Sequence, residues 1–406
     1  MDNDPKLRFL DHATPPHIAT LILMAGLSAL AMNIFLPSLP GMVAHFDTSY
    51  GLMQLSVALY LAVNAGLQLV IGPLSDRWGR RPVVLWGIAI FVVATLGCLL
   101  APTVTVFLAF RMMQASIVVA MVLSRAIVRD MVPQDRAASM IGYVTMGMAV
   151  VPMIGPAFGG ALDEAFGWQA NFWALAGLGG ALMWLCWRDL GETAPLSGRT
   201  LAQQFRDYPT LLTSYRFWGY AAAAGLSSGS FFAYLGGAPF VGDQVFGLSP
   251  SLLGLLFGAP AIGYFLGNFA SGRFSTRFGV NRMILWGALF NAGGLGLNLA
   301  LFHAGLGTPF SFFGLMTFMG LGNGMVIPNA TAGALSVRPD LAGTASGLSG
   351  ALMIGLGAAL SALAGLLLAP GRGAFPLLWL MVATGVAAVI TIRLVIRRER
   401  RLGLAV

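Results

Sequence analysis

Twelve stretches of this 406-residue chain run for 18 or more residues with few or no charges, and what lies between them is too short to fold as a domain in water. A hydrocarbon core of about 30 Å is crossed by about 20 residues of helix. The expected spans are 17–38, 50–72, 83–101, 104–126, 138–162, 168–187, 217–241, 249–271, 283–304, 308–333, 341–369 and 374–392. Lipid offers no water to open backbone groups, and runs this long and evenly apolar do not fit the alternating strands of a barrel, so the spans read as helices. Only 9% of residues are charged, against about 25% in ordinary soluble domains. The fold class is therefore an all-α membrane protein with twelve transmembrane helices, and the 53 glycines fit close helix packing in lipid.

Where the few charges stand carries the orientation. All basic residues but Arg111 and Arg372 fall on one side: Lys6 and Arg8, the loops with Arg77, Arg80, Arg81, Arg129, Arg136, Arg199, Arg206, Arg273, Arg277 and Arg282, and the tail with Arg393, Arg397, Arg398, Arg400 and Arg401. Arg125 and Arg338 are counted on that side as well. Lys and Arg are retained in the cytoplasm, so both termini are expected there, in the cell inner membrane. The net charge of +8 then records topology. It does not call for nucleic acid, because no basic patch interleaved with aromatics exists. Ala29 and Ala31 imitate a signal cleavage site, but Asp2, Asp4 and Asp11 deny the leader its positive region and the apolar run continues past them. Cys98 and Cys186 lie in separate apolar stretches, and His45 and His303 lack neighbours suited to a metal, so no disulfide, metal site or cofactor is expected.

A repeat appears when residues 72–87, GPLSDRWGRRPVVLWG, are set against 272–287, GRFSTRFGVNRMILWG. Gly72/Gly272, Ser75/Ser275, Arg77/Arg277, Gly79/Gly279, Leu85/Leu285, Trp86/Trp286 and Gly87/Gly287 are identical. The chain thus divides into a cytoplasmic start (1–16), a six-helix bundle (17–187), a polar linker (188–216), a second six-helix bundle (217–392) and a basic tail (393–406). Six-plus-six repeats place a substrate site between the halves near mid-membrane and work by alternating access.

The run Gly72-Pro73-Leu74-Ser75-Asp76-Arg77-Trp78-Gly79-Arg80-Arg81 resembles the loop signature of the major facilitator superfamily, and the resemblance covers the whole chain. Phe110-Arg111-Met112-Met113-Gln114-Ala115 resembles the fourth-helix R-x-x-Q pattern, with Arg125 to Asp130 at the end of that helix. Gly155-Pro156-Ala157-Phe158-Gly159-Gly160 is similar to the fifth-helix signature of drug antiporters. Pro328-Asn329-Ala330 and Ala342-Gly343-Thr344-Ala345-Ser346-Gly347 resemble the bicyclomycin and chloramphenicol resistance (Bcr/CflA) branch of bacterial exporters. The resemblance implies the twelve-helix major facilitator fold and proton-coupled export of small amphiphilic drugs. The family usually has an Asp in the first helix where this chain reads Met32-Asn33-Ile34-Phe35-Leu36-Pro37. Asn33 releases no proton, and by these spans all 15 carboxylates lie outside the hydrocarbon core.

Individual residues refine the site. Arg111 is the sharpest signal, since an arginine at a helix centre costs roughly 2.5 to 3.5 kcal/mol and persists mainly where it faces a cavity or partner. It and Asn33 fall at similar depth, so it either faces that neutral amide and offers its charge to an anionic substrate group, or binds backbone carbonyls while Asn33 stabilises packing. Tyr60, Asn64 and Gln68 share one face of the second helix, and the repeat turns Asn64 and Gln68 into Tyr264 and Asn268. These polar stripes line a cavity or form interhelical hydrogen bonds; Gln114 and Asn329 join the candidate cavity set. Phe231, Phe232, Tyr234, Phe318 and Met325 are candidate apolar walls, with core packing or lipid contact the competing reading for each. The resemblance implies a conformational lock at Gly72, Asp76, Arg77, Gly79, Arg80 and Asp130, one-sided because Thr276 replaces the acid in the second copy. Gly155, Pro156, Gly159 and Gly160 present a smooth surface to a helix of the other half, and Val151 stands where the family often has glycine.

The expected function is secondary active export of small organic molecules or drugs by a monomeric transporter in the lipid bilayer, with protons as the coupling partner. The alternative is facilitated or exchange transport of an anionic metabolite without proton coupling through the first helix. No G-x-x-x-x-G-K-[ST] loop provides for ATP, and no acid, His pair or Ser with a base lies at membrane depth for an enzyme.

Overall fold

A computed structural model of the chain describes residues 9–131, 154–193, 209–338, 342–369 and 371–403, with Met140, Val144 and Val151. Its helices are α1 (Ile18–Asn33), α2 (Leu39–His45), α3 (Tyr50–Trp78), α4 (Arg80–Leu99), α5 (Val104–Gln114), α6 (Val118–Met131), α7 (Gln169–Asp189), α8 (Tyr215–Phe240), α9 (Pro250–Phe257), α10 (Ala259–Phe278), α11 (Val280–His303), α12 (Pro309–Ser336), α13 (Ala342–Leu367) and α14 (Phe375–Arg401). Residues 154–166 are also helical. Most of the expected span 138–162 and of the linker 188–216 lies outside the described residues.

Among the described residues, ten helices are long and apolar enough to cross a membrane. The helix α8 is not one of them, since Gly, Ser, Trp and Tyr dilute its hydropathy, although it has 26 residues. Three expected single helices are broken, the fourth by a 3₁₀ turn over Ala115–Ile117 between α5 and α6. The first breaks after Asn33, where Pro37 and Pro40 remove backbone donors and a 3₁₀ turn over Leu36–Ser38 leads into α2. The eighth breaks at Gly258, just before Pro260. Other helices outrun their expected spans at the end where the basic loops gather, because a backbone satisfied within the helix continues into polar sequence beyond the apolar run.

The sequence repeat has structural counterparts. Ser49 and Ser249 both accept a hydrogen bond from the third backbone N–H beyond them, Leu52 and Leu252, and so cap α3 and α9. Gly79 and Gly279 end α3 and α10 at φ +94° and +84°, a conformation that a side chain would strain. A buried carboxylate from the end of α7, Asp189, accepts from the Leu10 and His17 N–H groups and from Thr20 Oγ1 at 2.6 Å. The matching carboxylate of α14, Glu399, accepts from Arg216 Nε, Tyr220 OH at 2.9 Å and Asn281 Nδ2. Thr20 and Tyr220 occupy equivalent places in the repeat.

Helices before the linker pack mainly on one another, α4 on α7 and α5, and α1 on α6. Those after it do likewise, α10 and α11 on α12, and α8 on α13 and α14, while α3 lies along α13 to join the two groups. One apolar cluster includes Leu21, Phe107 and Phe172 of the first group and Tyr234, Leu253 and Phe312 of the second. A separate cluster with Phe217, Ile284, Val326 and Ile396 belongs to the second group alone, toward its basic end.

Candidate substrate cavity

Hydrogen bonds between the two helix groups gather toward the end opposite the basic loops. Tyr50 OH donates to the Gly236 carbonyl at 2.7 Å and accepts from Phe240 N–H. Gln54 Nε2 donates to Ser361 Oγ at 2.8 Å. Ser251 N–H donates to Glu164 at 3.2 Å, and hydrogen bonds from Ser251 and Ser249 hold that carboxyl below its ordinary range. Backbone closes the seam between them. A Cβ added at Gly160 would lie 2.1 Å from the Pro250 carbonyl oxygen, and one at Gly254 would lie 2.2 Å from that of Pro156. Gly159 and Gly155 instead press on Ile34 and Leu30 of α1, within their own group. The glycine surface thus faces both the other group and its own.

Beyond this seal lies a cavity of about 270 Å³ walled by both groups. Ala29, Met32 and Asn33 of α1 and Arg125 of α6 form one side. Opposite them stand Phe231, Phe232 and Ser228 of α8, Phe257, Tyr264 of α10, Asn323 of α12 and Met353 of α13. Asn33 is fully buried; its Nδ2 donates to the Ala29 carbonyl at 2.8 Å, while Oδ1 has no hydrogen-bond partner. Among the described residues, no carboxylate lines the cavity. The site therefore combines aromatic walls, one guanidinium, and amide and hydroxyl groups, a set suited to an amphiphile with polar acceptors.

Of the residues expected here, Asn33 and Tyr264 line the cavity, as do the candidate walls Phe231 and Phe232. Arg111 does not. It is fully buried within its own group, where Nε donates to the Ser56 carbonyl at 3.2 Å, one terminal nitrogen to the Ala31 carbonyl at 3.0 Å, and the other to Gln114 Oε1. The pairing with Asn33 and the charge on offer to a substrate give way to carbonyl binding, the other reading of this residue. Gln114 passes the network on to Thr95 Oγ1 at 2.7 Å, and Tyr60 stacks on Arg111. Asn64 accepts from Gln68 at 2.7 Å, Asn268 donates to the Tyr264 carbonyl, and Asn329 donates to Ser271 Oγ, each outside the cavity lining. Tyr234 lies behind the wall, its OH donating to the Phe257 carbonyl and its ring 4.6 Å from that of Phe257. Phe318 is exposed on the outside, and Met325 is packed between helices.

Of the residues expected to form the lock, Asp76, Arg80 and Asp130 lie together. Arg80 binds Asp76 at 2.5 Å and Asp130 at 3.0 Å, tying the start of α4 to the ends of α3 and α6. Glu192 accepts from the Arg80 backbone N–H at 2.8 Å, and a Cβ at Gly79 would lie 2.3 Å from it. Gly72 has open space around its Cα, and Arg77 is exposed. No ion pair forms at Thr276 among the described residues, but the second group has its own cation and acid in Arg216 and Glu399, 2.8 Å apart.

Arg125 is the charged wall residue that sequence reasoning missed, alongside the polar Ser228 and Asn323. Its position near the basic end of α6 placed it with the loop charges, whereas it stands half-buried in the cavity wall beside Asn33 and Tyr264.

The family profile described as Major Facilitator Superfamily matches residues 21–360 and 238–404. Multidrug resistance protein D of Escherichia coli (strain K12) is 31% identical over 372 residues, covering 88% of this chain and 90% of that protein. A chloramphenicol resistance protein of Pseudomonas aeruginosa is 33% identical over 336 residues, covering 80% and 78%. The crystal structure of a bacterial homolog of the human lysosomal transporter Spinster, in an inward-facing and occupied conformation, superposes with TM-score 0.73 at 19% identity, covering 94% of this chain and 96% of that one.

Proposed function

Because the chain belongs to the Major Facilitator Superfamily, a family of transporters and not of enzymes, we propose that it exports small organic molecules or drugs across the cytoplasmic membrane by alternating access. The cavity carries this reading: both helix groups line it, and a glycine seam closes it toward one end. Two six-helix bundles, 17–187 and 217–392, rock about that seam as a monomer, with both termini in the cytoplasm. In this arrangement the seam seals the outer side, and substrate enters from the cytoplasm. The names of the two resistance proteins support a drug-like cargo.

Proton antiport is the coupling in this proposal, with the proton carried away from position 33. The Asp76–Arg80–Asp130 cluster and the Asp163–Glu164 pair at the seam are acids that change surroundings as the bundles move. A second reading is favoured by the presence of Arg125 in the cavity wall: exchange or facilitated transport of an anionic metabolite. Growth of cells expressing the chain against a compound panel identifies the cargo. Reconstituted vesicles then separate the couplings, since uphill movement under an imposed pH gradient supports antiport and its failure leaves the second reading.

A further inference from the structure

Away from the cavity, a groove of about 650 Å³ lies between α11 and α14 at the basic end. Arg282 in the first turn of α11 forms one wall, and Arg393, Arg397 and Arg400 form the other. The last three are spaced by four and three residues, which puts them on one face of α14. All four are exposed, and none makes an ion pair among the described residues. The acid next to them, Glu399, is buried and taken up by Arg216, Tyr220 and Asn281. Like charges three and four residues apart on a helix repel, so the groove holds an uncompensated positive field that an anion would relieve.

Topology alone does not call for this cluster. Matching Asp189 to Glu399 sets Met183, Trp187 and Leu190 against Arg393, Arg397 and Arg400, and the repeat sets Pro82 against Arg282. None of these first-group positions is an arginine, and the cations nearest them are otherwise engaged: Arg81 donates to the Trp187 carbonyl at 2.9 Å and Arg188 lies over the Trp187 ring. The groove also has an apolar side. Trp286 lines it, and Leu289, Phe290, Ile390 and Leu394 lie exposed on the same two helices just beyond, toward the middle of the spans. Trp at this level is a residue of the bilayer interface, and guanidinium forks bind phosphate oxygens in pairs.

We propose that this groove binds the headgroup of an anionic phospholipid, with a headgroup of two phosphates the best match to its four guanidiniums and the acyl chains lying on the apolar surface beyond. The lipid occupies a cleft inside the second bundle, between its third and sixth spans, where it braces α14 against α11. Basic pockets between spans on the cytoplasmic side suit such headgroups.

Native mass spectrometry of the purified full chain, exchanged into detergent with equal amounts of cardiolipin and phosphatidylcholine, tests this. The wild type should retain cardiolipin about tenfold better than phosphatidylcholine. Replacing Arg393, Arg397 and Arg400 together by Gln should remove that preference, while Arg188→Gln, Arg273→Gln and Arg277→Gln together, an equal loss of charge elsewhere, should keep it. Should the triple variant fail to fold, Arg282→Gln on the opposite wall should by itself lower cardiolipin retention about threefold. Equal retention of the two lipids by the wild type, equal loss in both triple variants, an unchanged Arg282→Gln, or displacement of the lipid by free pyrophosphate at the same concentration would each overturn the proposal.

Discussion

The Arg111 guanidinium carbon sits 4.3 Å from the ring centre of Phe35 and 4.1 Å from that of Tyr60, so the one cation expected at mid-span is clamped between two aromatic faces of its own helix group. Ring faces and carbonyl oxygens together replace the water it gave up. A charge solvated this completely is part of the packing of α5 against α1 and α3.

Replacing Arg111 by Met should therefore act on stability. It removes the donor that Gln114 Oε1 faces and the extra bonds to the Ala31 and Ser56 carbonyls, at about 1–3 kcal/mol for the buried amide oxygen left unsatisfied. Melting of the detergent-purified variant should drop by several degrees. A variant that melts like the wild type yet no longer transports would return Arg111 to the list of substrate contacts.

Asn33→Asp places a carboxyl in the cavity wall where Oδ1 now has no partner, on the same side as Arg125. The pH profile of transport by this variant should shift from that of the wild type, and cationic cargo should gain relative to anionic. Initial rates in vesicles across pH 5 to 9 measure it, and an unchanged profile excludes position 33 from the transport path.

Gly160→Ala drives a methyl group into the Pro250 carbonyl, which is backbone and cannot swing aside. Overpacking of this kind costs about 1–3 kcal/mol, so the sealed arrangement should lose about fivefold or more in population. Labelling of a cysteine introduced at the seam should rise, with transport reduced and expression retained. The same labelling in variant and wild type would mean that the seam is not where the bundles part.

The hydrogen bonds from Ser251 and Ser249 hold the Glu164 carboxyl below its ordinary value, so they favour the ionised form. A group lowered in this way keeps its contribution above the ordinary carboxylate range and loses it as the pH falls through the lowered value. Acidification at that face should therefore loosen the contact with α9, and Glu164→Gln should reproduce the effect at neutral pH. Seam accessibility measured against pH tests both, and a Glu164→Gln profile that still follows the wild type would assign the response to another group.

Much of the fold is legible in the sequence because the bilayer reduces the problem to counting apolar residues. Gly79 and Gly279, read as a repeat, sit at equivalent helix ends with the same left-handed backbone. The cavity was harder to read. Arg111 and Arg125 lie four turns apart on nearly the same face of the fourth span, so periodicity treats them alike. What separates them is their cover: Phe35 and Tyr60 close over Arg111, whereas Arg125 meets space shared with the second group. That difference depends on the angle at which two groups of helices meet, a property of neither helix alone. The Arg216–Glu399 contact escaped notice for a related reason, since its residues are far apart in the chain and each looks like an ordinary loop charge.

Asp189 and Glu399 stand at the last helix of their groups and reach back to the first, to Thr20 and to Tyr220. In both cases the acid is made after every other span of its group. The first span of each group thus enters the bilayer before its anchor exists, and docking of the closing helix completes a ring. Biogenesis is thereby divided into two closures in series, each sealed by its own late-arriving carboxylate.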